Sequence, residues 1–221
     1  MKQRIALSSC LLMMVFLYAG CSSTTSPGNT TVVVPKQGSI FIAYHSAKDS
    51  TGNIISSDTE KQTVIMTGLT IYGKTNVIAL VQNPNGGTAD TTYYHYEDNG
   101  DLSAASSSSS LWITAPFGSQ STLVKRSDTT VQGTHYVTNI TAKGAGAGSV
   151  SIKGNTFSTQ KVSFLVTDSV QSTGHVLSSG ILNFAPALGF IVIEDDAATR
   201  DSFSGALGLA SHTQVVDYTL Y

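Results

Sequence analysis

This 221-residue chain has almost no cysteine, little charge and hardly any helix-forming run. Its two cysteines, Cys10 and Cys21, both fall within the first 21 residues. The rest of the chain has no thiol to pair, which excludes a disulfide framework and any metal site built on thiolates. Stability must come from a hydrophobic core, which a domain of this length builds unaided. Charged residues make up 12% of the chain, with 12 basic residues against 14 acidic ones. That balance carries no electrostatic footprint for nucleic acid and excludes it as a partner. Long apolar runs are also missing: Ile5 to Tyr18 is shorter than the ~20 residues a membrane-spanning helix needs.

That short run is nevertheless informative. Lys2 and Arg4 precede it and Ala19-Gly20-Cys21 follow it. Cations, a short apolar stretch and small residues together make an export signal with a cleavage site, not a stop-transfer anchor. The segment resembles the signal peptide and lipobox of bacterial lipoproteins, whose pattern is Leu-(Ala/Ser)-(Gly/Ala)-Cys; Tyr18 stands where the family usually has leucine. The resemblance implies cleavage before Cys21 and acyl chains such as palmitate on its sulfur and amine, since one chain alone binds a membrane only reversibly. Ser22 replaces the aspartate that marks inner-membrane retention in the similar Gram-negative families, which implies the outer membrane. The expected organisation is a signal peptide over residues 1–20, the lipidated cysteine and a flexible tether over 21–36, and a single β-rich domain over 37–221. The tether is rich in Ser, Thr, Gly, Asn and Pro and lacks the apolar surface to offset its ordering entropy. Val32-Val33-Val34 interrupts it and either belongs to it or starts the first strand.

From Ser39 onward the apolar period is 2. Ser39 to His45, Gln62 to Thr67, Thr75 to Gln82 and Thr91 to Glu97 read as strands, with Ile54-Ile55 as a short returning one. Leu111 to Thr114, Ser121 to Lys125, His135 to Thr141, Ser149 to Lys153, Phe157 to Val166, Val176 to Phe184, Gly189 to Glu194 and Thr213 to Leu220 follow. Turn signals separate them: Asp49 to Asn53, Asn83 to Gly87, Asp98-Asn99-Gly100-Asp101 as a type I′ hairpin, the Ser106 to Ser110 run, and Pro116-Phe117-Gly118. Lys143 to Gly148 alternates Gly with Ala and reads as a mobile turn. The spacing predicts an all-β fold, a single antiparallel meander forming a curved sheet, half-barrel or sandwich. Ala197 to Ala210 is the one helical candidate, and Gly205 and Gly208 weaken it. Val64 to Ile71 and Val150 to Phe157 share Val-x-(Met/Ile)-x-Gly-x-Thr-(Ile/Phe), which fits either a duplicated hairpin or the generic form of any hairpin with a Gly turn.

Few residues suggest chemistry. Gly68 to Thr75 matches the phosphate-loop pattern G-x-x-x-x-G-K-[ST]. Asn76 to Val81 after it is β-forming, however, so the helix that faces the anion in a phosphate loop is missing. Ser158-Thr159-Gln160-Lys161 matches S-x-x-K but sits in a strand-like run without its partner motifs. The five histidines, His45, His95, His135, His175 and His212, form no local metal pair and read as strand residues. Glu194-Asp195-Asp196 with Asp201 offers oxygen ligands for Ca²⁺, against the alternative of a solvated strand end. Tyr94 and Tyr96 share one strand face, with Tyr93 and His95 on the other. Tyr94, Tyr96 and Trp112 are the candidate lining of a ligand groove; core packing is the other use of such aromatics. No catalytic residue, cofactor site or metal site is expected.

The Tyr-rich strand ending in Asn99-Gly100-Asp101, then Trp112 with Pro116-Phe117-Gly118, then Gly154 to Val162, then Ala185-Pro186-Ala187-Leu188-Gly189-Phe190, resembles uncharacterised envelope lipoproteins similar to the LolA/LolB-type half-barrel carriers. The resemblance implies a meandering antiparallel sheet in which the Pro-x-Leu-Gly-aromatic corner joins two late strands. Those carriers plug the concave face with helices, which this chain hardly offers. The expected function is a non-enzymatic, membrane-anchored envelope module, a binder of an apolar or envelope-derived ligand or a scaffold. The alternatives are a surface interaction or adhesion protein and, last, a hydrolase.

Overall fold

The computed structural model describes residues 31–83, 90–107, 112–131, 134–170, 173–198 and 209–221. The signal segment, Cys21, most of the tether, Pro84 to Gly87, Ser108 to Ser110, Leu111, Asp201 and the body of the helical candidate lie outside them. The described residues form twelve strands and no helix. They are β1 (Ile40–Lys48), β2 (Ile54–Ile71), β3 (Lys74–Asn83), β4 (Asp90–Tyr96), β5 (Leu102–Ser106), β6 (Ile113–Ala115), β7 (Thr122–Val131), β8 (Thr134–Ile152), β9 (Asn155–Val170), β10 (Thr173–Ala185), β11 (Phe190–Asp196) and β12 (Ala210–Thr219). All belong to one antiparallel sheet, in the order β6-β5-β4-β3-β2-β1-β12-β11-β10-β9-β8-β7.

Every neighbouring pair is consecutive in sequence except β1 and β12, which zip the two ends of the domain together from Ile40↔Thr219 to Lys48↔Ala210. The meander therefore opens in the middle of the chain, between β6 and β7, and the sheet curls until that gap nearly closes. Side chains span the gap. Phe117 stacks on Phe184 with ring centroids 5.1 Å apart, and Leu102, Ile113 and Ala115 from one edge pack with Ile140, Val162 and Phe164 from the other. A second core gathers Phe41, Val64, Ile78, Leu80, Phe190, Val192 and Val215. Phe41 and Phe190 lie nearly parallel, 4.0 Å apart.

The Gly-Ala run is not a turn. Lys143 to Gly148 lies inside the 19-residue β8, whose register against β9 shifts between Gly144 and Ala147. The bulge bends the β8–β9 hairpin, so Ile140 and Ala142 enter one core while Val150 and Ile152 enter the other. Lack of bulk at the bend is a packing requirement: a Cβ on Gly144 would stand 2.6 Å from the Gln120 backbone. His135 to Thr141 and Ser149 to Ile152 are thus one strand, with Lys153 in the turn that follows, and Ile54-Ile55 joins Gln62 to Thr67 in the 18-residue β2.

Other expectations need correction. The hairpin alignment fails because Gly68 lies within β2, whereas the counterpart of Lys153-Gly154 is Tyr72-Gly73; both pairs have the two positive φ values of a type I′ turn. At Asp98 to Asp101 only Gly100 has positive φ, and Gly100 N donates to Glu97 O at 2.9 Å. That is a three-residue loop with a glycine bulge, not type I′. The tether ends before residue 36: Val32 packs on a core, Val33 N donates to Pro186 O at 2.9 Å and Pro35 is buried.

Two motif pairs meet across the fold. Buried Asp101 accepts from Gly118 N at 3.0 Å, Ser119 N at 2.8 Å, Ser119 Oγ at 2.9 Å and Asn99 Nδ2 at 3.0 Å. This carboxylate latches the β4–β5 turn to the Pro116-Phe117-Gly118 corner, where a Cβ on Gly118 would meet Asn99 O at 2.0 Å. The Pro186 to Gly189 corner joins β10 to β11, as the resemblance implies, and Tyr96 donates its hydroxyl to Gly189 O at 2.7 Å.

Candidate functional site

Inward positions on four adjacent strands change from apolar to polar toward the same end of the sheet. They run Phe41, Ala43, His45 on β1; Val64, Gln62, Glu60 on β2; Val192, Glu194, Asp196 on β11; and Val215, Thr213, Ser211 on β12. The apolar halves are core. The polar halves bring three carboxylates, Glu60, Glu194 and Asp196, to the same end of the sheet as the His45 imidazole.

His45 is the hub. Its Nδ1 is 2.7 Å from Thr213 Oγ1, and its Nε2 is 3.3 Å from Glu60 Oε2, within ion-pair range but in a direction that makes no hydrogen bond. Gln62 Nε2 donates to Glu60 Oε1 at 3.1 Å, and Ser211 Oγ donates to Asp196 Oδ2 at 2.8 Å. Gln62 Oε1 and Asp196 Oδ1 are buried and find no hydrogen-bond partner among the described residues. The cluster is still reachable, since the His45 and Glu60 side chains keep 25% and 15% exposure. Among the described residues no lysine or arginine pairs with Glu60, Glu194 or Asp196.

This unbalanced negative charge leaves a mark on protonation. Burial, then the charges of Asp196, Glu60 and Asp195, push the Glu194 carboxyl up to about 8. Burial and Asp195 raise Asp196 to about 6 against the opposing bond from Ser211. Burial, then Glu194 and Glu60, push the Tyr94 phenol up as well. The Glu194 value in the fold lies above the ordinary 4.5, so the native state keeps a proton that the unfolded chain releases. Its contribution to stability is complete below pH 4.5 and is lost as the pH rises toward 8. Glu194→Gln is therefore expected to match the parent at pH 4 and exceed it at pH 9. The gain is about 1–2 kcal/mol, once 1.36 kcal/mol per pKa unit is discounted for the residue's partial solvent access. Urea midpoints across that range test this, and a gap that does not change with pH would contradict it.

Thr213, His45 and Glu60 stand in the hydroxyl–imidazole–carboxylate order of a hydrolytic triad. However, β12 is hydrogen-bonded on both sides, so its amides belong to ladders and are not offered to an oxyanion.

The residues singled out from sequence are distributed as follows. Tyr94 and Tyr96 pack inward against both cores, and Tyr94 meets Phe190 edge-on at 6.2 Å. Trp112 does not join them. It lies on the convex face with its Nε1 donating to Tyr72 O at 3.2 Å and its ring edge-on to His95. The phosphate-loop pattern is the β2–β3 hairpin, and its Lys74 bonds Glu97 Oε1 at 2.5 Å with its Nζ 5.7 Å from the Trp112 ring. Against the upward push of burial, bonds from Lys74 and Ser103 draw the Glu97 carboxyl below its usual range. Ser158 and Lys161, three apart on β9, point to opposite faces. His135 pairs with Asp128, and His212 contacts Asp195 at 2.6 Å; the His175 side chain lies outside the described ones. Alternation turns Asp195 away from Glu194 and Asp196, and among the described residues no three His, Asp or Glu groups converge as a metal site.

His45, Glu60 and Gln62 carry no local motif, because the site is assembled from strands far apart in sequence. The legible signal was the parallel switch from apolar to polar at alternate positions of four strands.

Fold and site together define an all-β protein whose single curled sheet encloses its own core and presents a polar, acid-rich inner end. No family model and no curated protein matches the chain. Among solved structures it is similar to a Bacteroides fragilis NCTC 9343 protein with a YmcC-like fold, inferred to be exported. The two share 10% identity, the alignment covers 86% of this chain and 99% of that one, and the TM-score is 0.46.

Proposed function

We propose that the chain is a lipid-anchored protein of the bacterial envelope, at the outer membrane, that binds a polar ligand at the inner end of its sheet without transforming it. The observation that carries the binding part is the cluster around His45, with buried acceptors left unpartnered beside three carboxylates. An apolar ligand fits less well, because Phe41, Val64 and Leu80 on the inner face are already buried by the protein's own side chains. For the same reason lipid carriage in the manner of the LolA/LolB-type proteins is not part of the proposal.

Export and anchoring rest on Lys2, Arg4, the short apolar run and Cys21. Cys21→Ser is expected to abolish labelling by radioactive palmitate and to move the protein from the membrane to the soluble fraction. A membrane-bound, acylated Cys21→Ser product would overturn the anchor. One observation favours surface interaction as a second reading: Tyr72, 43% exposed, with Tyr93 and Trp112 forms an aromatic patch on the convex face. Protease shaving of intact cells separates the two, since a protein facing the periplasm is spared.

A further inference from the structure

We infer that the inner polar end is a binding site for an aliphatic polyamine, whose ammonium groups meet the row of acceptors from Gln62 to Asp196. The inference rests on the binding reading above and names its ligand class.

Three observations lead there. First, the unpartnered buried atoms ask for donors: Gln62 Oε1 and Asp196 Oδ1 only accept, and His45 Nε2 accepts in the tautomer that carries its proton toward Thr213. Gln62 is 6% exposed and its amide is turned into the cluster by the bond to Glu60, so its free oxygen is enclosed and not turned to solvent. A buried acceptor without a donor is costly, and native folds rarely leave one without a reason.

Second, the charge is one-sided. Glu60, Glu194 and Asp196 face inward with His45, Tyr94 and, toward the rim, Asp58, while Asp195 adds its charge from the other face of β11. No lysine or arginine among the described residues answers them. An ammonium supplies positive charge and three donors with no acceptor, which complements such a lining. A bare metal ion does not fit, since no three of these groups converge.

Third, the acceptors are strung out. The register sets Gln62 opposite Phe41, Glu60 opposite Ala43, His45 beside Thr213, Glu194 on the far side of Thr213, and Asp196 opposite Ser211. Alternate residues on one face of a strand are about 7 Å apart. A single ammonium reaches one or two of these groups, whereas a chain bearing several at intervals reaches the row.

The test uses the detergent-solubilised protein as the cell makes it, with spermidine, n-butylamine, 1,5-pentanediol and dihexanoyl-phosphatidylethanolamine as probes, read by calorimetry and by the His45 imidazole NMR signals. Spermidine is expected to bind at least about tenfold more tightly than butylamine, with no binding of the diol. It is also expected to bind at least about tenfold more tightly at pH 8.5 than at pH 6, because it competes with the proton on Glu194. Gln62→Leu and Glu60→Gln are each expected to weaken spermidine about tenfold, and Lys61→Gln, on an exposed position of the same strand, to leave it unchanged. Butylamine binding as tightly as spermidine overturns the polyamine assignment. So does binding of the diol or the phospholipid in place of spermidine, although the site then stands as a binding site. If no probe moves the His45 signals, the polyamine and the binding reading both fall.

Discussion

Gly189→Ala is expected to lower the unfolding free energy by about 3 kcal/mol or more and to detach residues 32–35 from the domain. Gly189 has φ +61°, where a side chain is strained. The steric part is larger, because a Cβ there would stand 1.7 Å from Val33 O and 2.8 Å from Pro35 Cδ. Neither neighbour is a flexible side-chain end that swings aside, so the segment must lift. Lifting breaks the Val33 to Pro186 bond and disturbs the carbonyl that receives the Tyr96 hydroxyl. Hydrogen exchange at the Val33 amide is the decisive readout. Protection lost there, with a lowered urea midpoint, supports the account, and unchanged protection with parent-like stability refutes it. The same contact explains why the expected tether ends early: a glycine in the late corner makes a seat for the N-terminal segment.

Phe41→Ala is expected to cost about 3–5 kcal/mol, the usual range for emptying a fully buried phenylalanine site. Phe41 has no solvent exposure and stacks on Phe190, joining β1 to β11 across β12. Its loss leaves a void where the apolar half of the inner face meets the polar half, since Gln62 is its cross-strand neighbour. Phe41→Leu restores part of the volume and is expected to recover part of the loss. Val124→Ala, at a position 62% exposed, is the contrast and is expected to stay within about 0.5 kcal/mol of the parent. Thermal and urea unfolding of the three variants check the ordering. Equal effects at Phe41 and Val124 would mean that the inner face is not the core.

Local chemistry made several elements readable. Asp49 to Asn53 is a turn because the Asp49 carboxylate collects Thr51 N at 2.8 Å and Asn53 N at 3.0 Å, an arrangement any chain with those residues favours. Period-2 runs became strands because alternation needs only one buried face. The Gly-Ala run reads as a turn for a reason equally physical. Small residues signal a turn when nothing is known of their neighbours, but here they clear space for Gln120 and let a bulge bend β8 between two cores. Tyr94, Tyr96 and Trp112 read as one aromatic group because nothing local in the sequence tells which face of the sheet each takes.

What the sequence alone determined is therefore the class: an all-β domain without disulfides or thiolate metal sites, behind a leader that resembles a lipoprotein signal. Alternation, turn residues and the scarcity of cysteine are local or compositional properties, which need no partner to be read. Only the tertiary structure decided that the meander closes through β1 and β12 and stays open at β6 and β7, that Asp101 latches Gly118, and that His45, Glu60, Glu194 and Asp196 share one inner end. Those relations depend on register and curl. Shifting one strand by a single residue turns its inward side chains outward, and no short motif records that choice.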